Sequence, residues 1–174
     1  IVFHAVVDAC LALRQQLGVP PEAISSVEVA GDQLLLDRGD RVVLNERDAR
    51  VSIHHSAALG FVRARAGVAD FEMPAVADPA LAAFRARVRA RLDASLPRGA
   101  ATVTVRLADG RTAKLTVTAP TGSGDNPMSD AALETKFLDN AGIGGFADRA
   151  PAMLHAIRGL EQAGDLSGLM RAVA

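Results

Sequence analysis

The sequence has no tryptophan and no tyrosine, so six phenylalanines supply all its aromatic packing and no phenol is available to any site. Its one cysteine, Cys10, excludes an internal disulfide and fits a reducing cytoplasm. No Cys pair or Asp/Glu cluster offers a metal-ligand set, and no metal is expected. Lysine is nearly absent, standing only at Lys114 and Lys136. A net charge of -1 gives no footing for nucleic acid or an anionic membrane surface. No apolar run approaches the roughly 20 residues that span a bilayer. The opening Ile-Val-Phe-His carries no basic leader region. Nucleophile-elbow and phosphate-loop patterns are missing too, and Gly142, Gly144 and Gly145 read as an interhelical turn.

What remains is ordinary in bulk: 174 residues, 49% hydrophobic and 22% charged, enough for one sizeable core plus an appended helical segment. The basic residues are nearly all Arg, the better bidentate partner for carboxylates. The codon usage of a GC-rich genome accounts for the same bias. The chain starts without Met, inside a helical pattern, and reads as a fragment.

Residues 2 to about 16 carry an apolar helical stripe through Phe3, Val7, Cys10/Leu11 and Leu13, stopped by Gly18 and Pro20-Pro21. Ile24–Ala30 reads as a strand turning at Gly31-Asp32. Residues 38–47 read as loop. A helix from an Asp48 N-cap to Gly67 places Val51, His55, Ala58 and Val62 on its buried stripe. Residues 68–77 read as loop broken at Pro74. Asp78-Pro79 is a helix start. Beyond it, Leu81, Phe84, Val88 and Leu92 fit a helix, whereas alternation with Arg85, Arg87, Arg89 and Arg91 fits a strand. A short helix to about 85, then a strand to about 92, reconciles them. Four arginines on one strand face would bind anions, or simply be solvated. Asp109-Gly110 between alternating segments predicts a hairpin over 102–118. A Gly/Pro-rich connection, 119–127, leads to helices at about 130–142, 147–162 and from Leu166. The sum is α+β: a small antiparallel sheet with packed helices over 1–120, then a helical segment over 121–174.

Two places carry imidazoles. His54-His55 lies in a small, apolar helical stretch, where such groups either transfer protons or sit as hydrogen-bonded core residues. His4 and Asp8, at i and i+4, can meet on one helix face, and a carboxylate on one ring nitrogen makes the other a better base. Adjacent histidines point about 100° apart on a helix, so the pair makes a poor metal site.

Gly124-Asp-Asn-Pro-Met-Ser-Asp130, followed by Leu133 and Lys136-Phe137, resembles the pattern after the last hairpin in the MmgE/PrpD family of 2-methylcitrate dehydratases and cis-aconitate decarboxylases. Upstream order agrees: His4-x-x-x-Asp8-Ala9, Asp48-Ala-x-x-Ser52, Asp78-Pro79 and the Asp-Gly hairpin. The resemblance covers essentially the whole chain. It implies the lid and tail of a two-part enzyme, whose all-helical N-terminal domain and lysine preceding the His4 motif lie outside this sequence. It further implies a cofactor-independent lyase for a small di- or tricarboxylate, with no metal, cytoplasmic and homo-oligomeric, the fragment alone being inactive. By position, His4 and His55 become the catalytic candidates, with His54 and Asp8 beside the substrate. A lid tyrosine, where the family uses one at the His55 position, is replaced here. A non-catalytic module derived from the same family is the competing reading.

Overall fold

The structure is a computed structural model describing residues 3–174, so the start of the first helical stripe at residue 2 lies outside the described residues. The chain forms two compact units, 1–126 and 127–174. Its class is α+β.

The first unit is built on a four-stranded sheet in the order β2-β1-β3-β4, with β1 Ile24–Gly31, β2 Val88–Leu92, β3 Ala101–Leu107 and β4 Thr112–Val117. Val27 pairs with Val105 in antiparallel register and with Val88 in parallel register. The sheet is therefore mixed, not purely antiparallel as the sequence suggested. The reason is topological: β1 and β2 are joined by more than fifty residues of helix and turn, a crossover long enough to return the chain in the same direction. The predicted hairpin is present, and Gly110 at φ +88° takes the left-handed turn position that a side chain would strain.

Alternation sets which sheet face is covered. Val27, Val29, Val88, Val103 and Val105 share the buried face. Helix α1, His4–Leu17, lies against β3 and β4 and ends at Gly18 with φ +60°. Its buried side is Ala5, Val6, Ala9, Cys10 and Leu13, which keeps Cys10 and Leu13 of the stripe read in the sequence but takes Val6 in place of Val7. Gly60 fits directly over this helix, since a Cβ there would stand 2.5 Å from the Cys10 Cβ.

The largest departure concerns the helix expected from Asp48 to Gly67. Helix α2, Gln33–Gly39, capped by Asp32, precedes the predicted loop over 38–47 and reaches two residues into it. Helix α3, Glu46–Arg50, is capped by Asn45, not Asp48. The chain then breaks, and Ser52 caps a separate α4, Ile53–Ala58, which runs into a π-helical turn at Leu59–Arg63. It stops at Ala64, three residues before Gly67, in a left-handed conformation at φ +55°. Val68–Phe71 is a 3-10 turn and Met73–Val76 is α5, with Pro74 inside its first turn, so this span is not the expected loop. Helix α6, Pro79–Arg85, starts at Asp78 as expected, and β2 follows. Only Arg89 and Arg91 belong to that strand's alternate face, because Arg85 ends α6 and Arg87 precedes the strand.

The second unit contains α7 Asp130–Ile143, α8 Ala150–Arg158 and α9 Ser167–Val173. Arg158 pairs with Glu134. Its apolar side chains Leu133, Ile143, Leu166 and Met170 are half or more exposed.

Candidate functional site

Ser52 determines where both histidines point. Its hydroxyl accepts the His55 backbone N–H at 3.2 Å, so α4 begins at Ile53 and His54 and His55 fall in its first turn on different faces.

His55 points inward and has no exposed surface. Its Nε2 lies 2.8 Å from the Asp70 carbonyl oxygen, and its Nδ1 lies 3.1 Å from Arg85 Nη1. A carbonyl can only accept and a guanidinium can only donate. The ring is therefore neutral, with its proton on Nε2. Burial is the main cause holding its pKa below the ordinary value; the Asp70 hydrogen bond opposes that and the Arg85 charge adds to it. The ring also leans on Phe71 at 5.7 Å between centroids.

Around His55 the partners are themselves fixed. The buried Asp70 carboxylate takes Arg63 at 3.4 Å, Arg65 at 3.3 Å and the Gly67 N–H at 2.9 Å. Arg63 continues to Asp78 at 2.7 Å, and this bond is the first cause holding the Asp78 carboxyl below its usual range. Arg85 donates its second amino group to the Val76 carbonyl at 2.8 Å. Burial lowers the Arg85 pKa, with the Asp78 charge opposing it.

His54 points the other way, into a surface cleft of about 610 Å³. Its Nε2–H donates to Asp40 at 2.9 Å. Arg41, Arg85 and Arg89 line the same cleft, with Val42, Val43 and Val88 as apolar wall. Among the described residues, none of these three arginines forms an ion pair with a carboxylate. Arg89 instead donates to the Ala86 and Val88 carbonyls, each at 3.0 Å. One wall thus holds three guanidinium groups, an imidazole and a single carboxylate that the imidazole already engages. Chemically such a set can offer hydrogen bonds and positive charge to an anion with more than one negative group.

A profile of the MmgE/PrpD C-terminal domain matches residues 1–157. The chain belongs to the MmgE/PrpD family. No curated protein gives a match.

Within this MmgE/PrpD domain the four residues singled out from the sequence separate. His4 is exposed in the first turn of α1. That turn adjoins the cleft-forming segment, because Gly39, next to Asp40, leaves room for the Phe3 ring: a Cβ there would lie 2.4 Å from it. Asp8 accepts the Thr121 backbone N–H at 2.6 Å and so ties the outgoing connection to α1. His54 faces the cleft; His55 lies behind it. Sequence reading did not find Asp40, Arg41 or Arg89 as neighbours of His54, since only the fold brings 40–41 and 85–89 together. The arginine alternation was the one available signal, and it pointed at a strand face when the cleft takes Arg85 from a helix end. Among the described residues, no group of His, Cys, Asp and Glu has the makings of a metal site. No helix among them is long and apolar enough to cross a membrane.

Proposed function

We propose that this MmgE/PrpD domain forms one wall of the active site of a cofactor-independent lyase acting on a small di- or tricarboxylate. The observation that carries the reading is the cleft in which, among the described residues, Arg41, Arg85 and Arg89 lack carboxylate partners beside the His54–Asp40 pair. Elimination from such a substrate needs cations on its carboxylates, a base for the proton α to one of them, and an acid for the departing hydroxyl. The arginines fit the first task. His54, with Asp40 fixing one ring nitrogen, and His4, exposed at the adjoining turn of α1, fit proton transfer or substrate contact. His55 acts from behind the wall. The all-helical part typical of the family supplies the opposite wall, so the 174-residue chain binds carboxylate without turning it over.

The reading extends to a cytoplasmic homo-oligomer, for which the buried free thiol of Cys10 and the exposed apolar side chains of 127–174 are the support. A non-catalytic carboxylate-binding module from the same family is the second reading. It is favoured by His55, which spends both ring nitrogens on internal partners, and by Asp8, one of whose carboxylate oxygens is taken by the Thr121 backbone.

Two measurements separate these readings. Calorimetric titration with tricarballylate tests the anion wall, the uncharged triamide serving as control. Addition of a separately produced MmgE/PrpD helical domain, with 2-methylcitrate dehydration followed by ultraviolet absorbance, tests the enzyme reading. Binding with no turnover in the mixture selects the module; no binding at all removes both.

A further inference from the structure

The geometry points to Arg85 as the residue that anchors a substrate carboxylate, and to His55 as the positioning residue that aims it. This rests on the carboxylate reading of the cleft. Arg41 and Arg89 are exposed, and Arg89 is held at one amino group only, whereas Arg85 is half-buried and its guanidinium is held at both amino groups. Nη1 donates to His55 Nδ1 at 3.1 Å and Nη2 to the Val76 carbonyl at 2.8 Å. Neither partner is charged, so the cation is oriented without being neutralised. Its remaining N–H groups are left for a ligand in the cleft that the side chain lines.

His55 suits this task because each ring atom has one defined job. Nε2–H is spent on the Asp70 carbonyl at 2.8 Å, which forces Nδ1 to be the acceptor that receives Arg85. Asp70 is in turn pinned through its carboxylate by Arg63 and Arg65. A guanidinium fixed in advance loses less freedom on binding, so its hydrogen bonds convert more fully into affinity. In place of the catalytic part expected of it, His55 acts through Arg85.

The test uses the whole 174-residue chain and tricarballylate as probe, read by calorimetry or by amide shift changes. Arg85→Gln should weaken binding about tenfold or more, and Arg85→Lys should restore little of it, because the point charge of lysine cannot keep the forked geometry. Arg98→Gln, an exposed arginine outside the cleft, should leave affinity unchanged. For His55 the two amides divide its roles. His55→Asn places an oxygen acceptor near Nδ1 and should keep affinity within about twofold while lowering thermal stability. His55→Gln keeps a donor toward Asp70 but no acceptor for Arg85, and should weaken binding about three- to tenfold with a smaller loss of stability. In an Arg85→Gln background, His55→Gln should weaken binding no further.

Wild-type affinity in Arg85→Gln would overturn the anchor while leaving the carboxylate reading standing. Absence of tricarballylate binding by the unaltered chain would overturn both. Equal losses from His55→Gln in the two backgrounds, or an affinity loss in His55→Asn as large as in Arg85→Gln, would overturn the positioning role. Should His55→Gln not fold, the Asn variant and the two Arg85 variants decide the matter.

Discussion

Acidification from pH 7.5 to 5 should destabilise the first unit through His55. The ring is fully buried, and its neutral form alone satisfies both partners. Protonation would put an N–H against the Arg85 guanidinium, and burial already holds the pKa below its ordinary value. The sign follows from proton binding. Below about pH 6.5 the unfolded chain takes up a proton that the folded chain refuses, so the unfolding free energy falls as pH falls. Above that pH the two states bind equally and His55 contributes no slope. One fully refused proton gives a limiting slope of about 1.4 kcal/mol per pH unit, hence up to about 2 kcal/mol between pH 6.5 and 5. For a chain of this size that is about 4–8 °C in Tm. With no tryptophan or tyrosine to report, urea melts should be followed by far-ultraviolet circular dichroism. The comparison is with His55→Gln, which cannot titrate; the other three histidines are present in both chains and cancel. Wild type should lose its advantage progressively through this window. Parallel curves for the two proteins would refute the buried neutral imidazole.

Other perturbations act through separate parts of the fold. Phe61→Ala, which removes a buried ring stacked on Phe84 at 5.6 Å, should cost about 3–5 kcal/mol in a denaturant melt. Gly60→Ala should cost about 1–3 kcal/mol by driving a methyl into Cys10; Cys10→Gly should recover part of that, and Cys10→Ser should not, because the clash is with Cβ. Arg63→Ala leaves the buried Asp70 carboxylate short of a cation and should cost about 1–3 kcal/mol, discounted for the partial exposure of Arg63. Arg63 also supports the depressed Asp78 carboxyl, whose contribution is present above its unfolded pKa near 4 and is lost as pH falls below it. The difference between wild type and Arg63→Ala should therefore shrink below about pH 4. Cys10, whose thiol burial pushes up, should resist alkylation until the protein unfolds.

Local chemistry made much of this fold legible. The Asp78-Pro79 start, the Asp-Gly hairpin and the Gly18 stop are encoded by residues that act within a turn, and each formed where its sequence placed it. The helix expected over 48–67 failed for a local reason as well. Asn45 and Ser52 both cap, so the expected single helix became two short ones, and the second is buried on nearly every side, which a one-face periodicity does not register. The parallel pairing of β1 and β2 depends on a long crossover and had no short-range signature. His55 was rightly read as buried, and the family resemblance was matched over residues 1–157. Which of two adjacent histidines faces outward depended on where Ser52 starts the helix. The arginine wall assembles segments some thirty to fifty residues apart, information that only packing supplies.

The central claim is that the cleft beside His54 receives a small polycarboxylate. Titration of the isotope-labelled chain with tricarballylate, followed by amide and arginine side-chain shifts, addresses it most directly. The account predicts saturable changes concentrated at residues 40–43, 54 and 85–90, weakened by salt and absent with the uncharged triamide. Changes scattered over exposed arginines elsewhere, or no saturable change at the cleft, would contradict it.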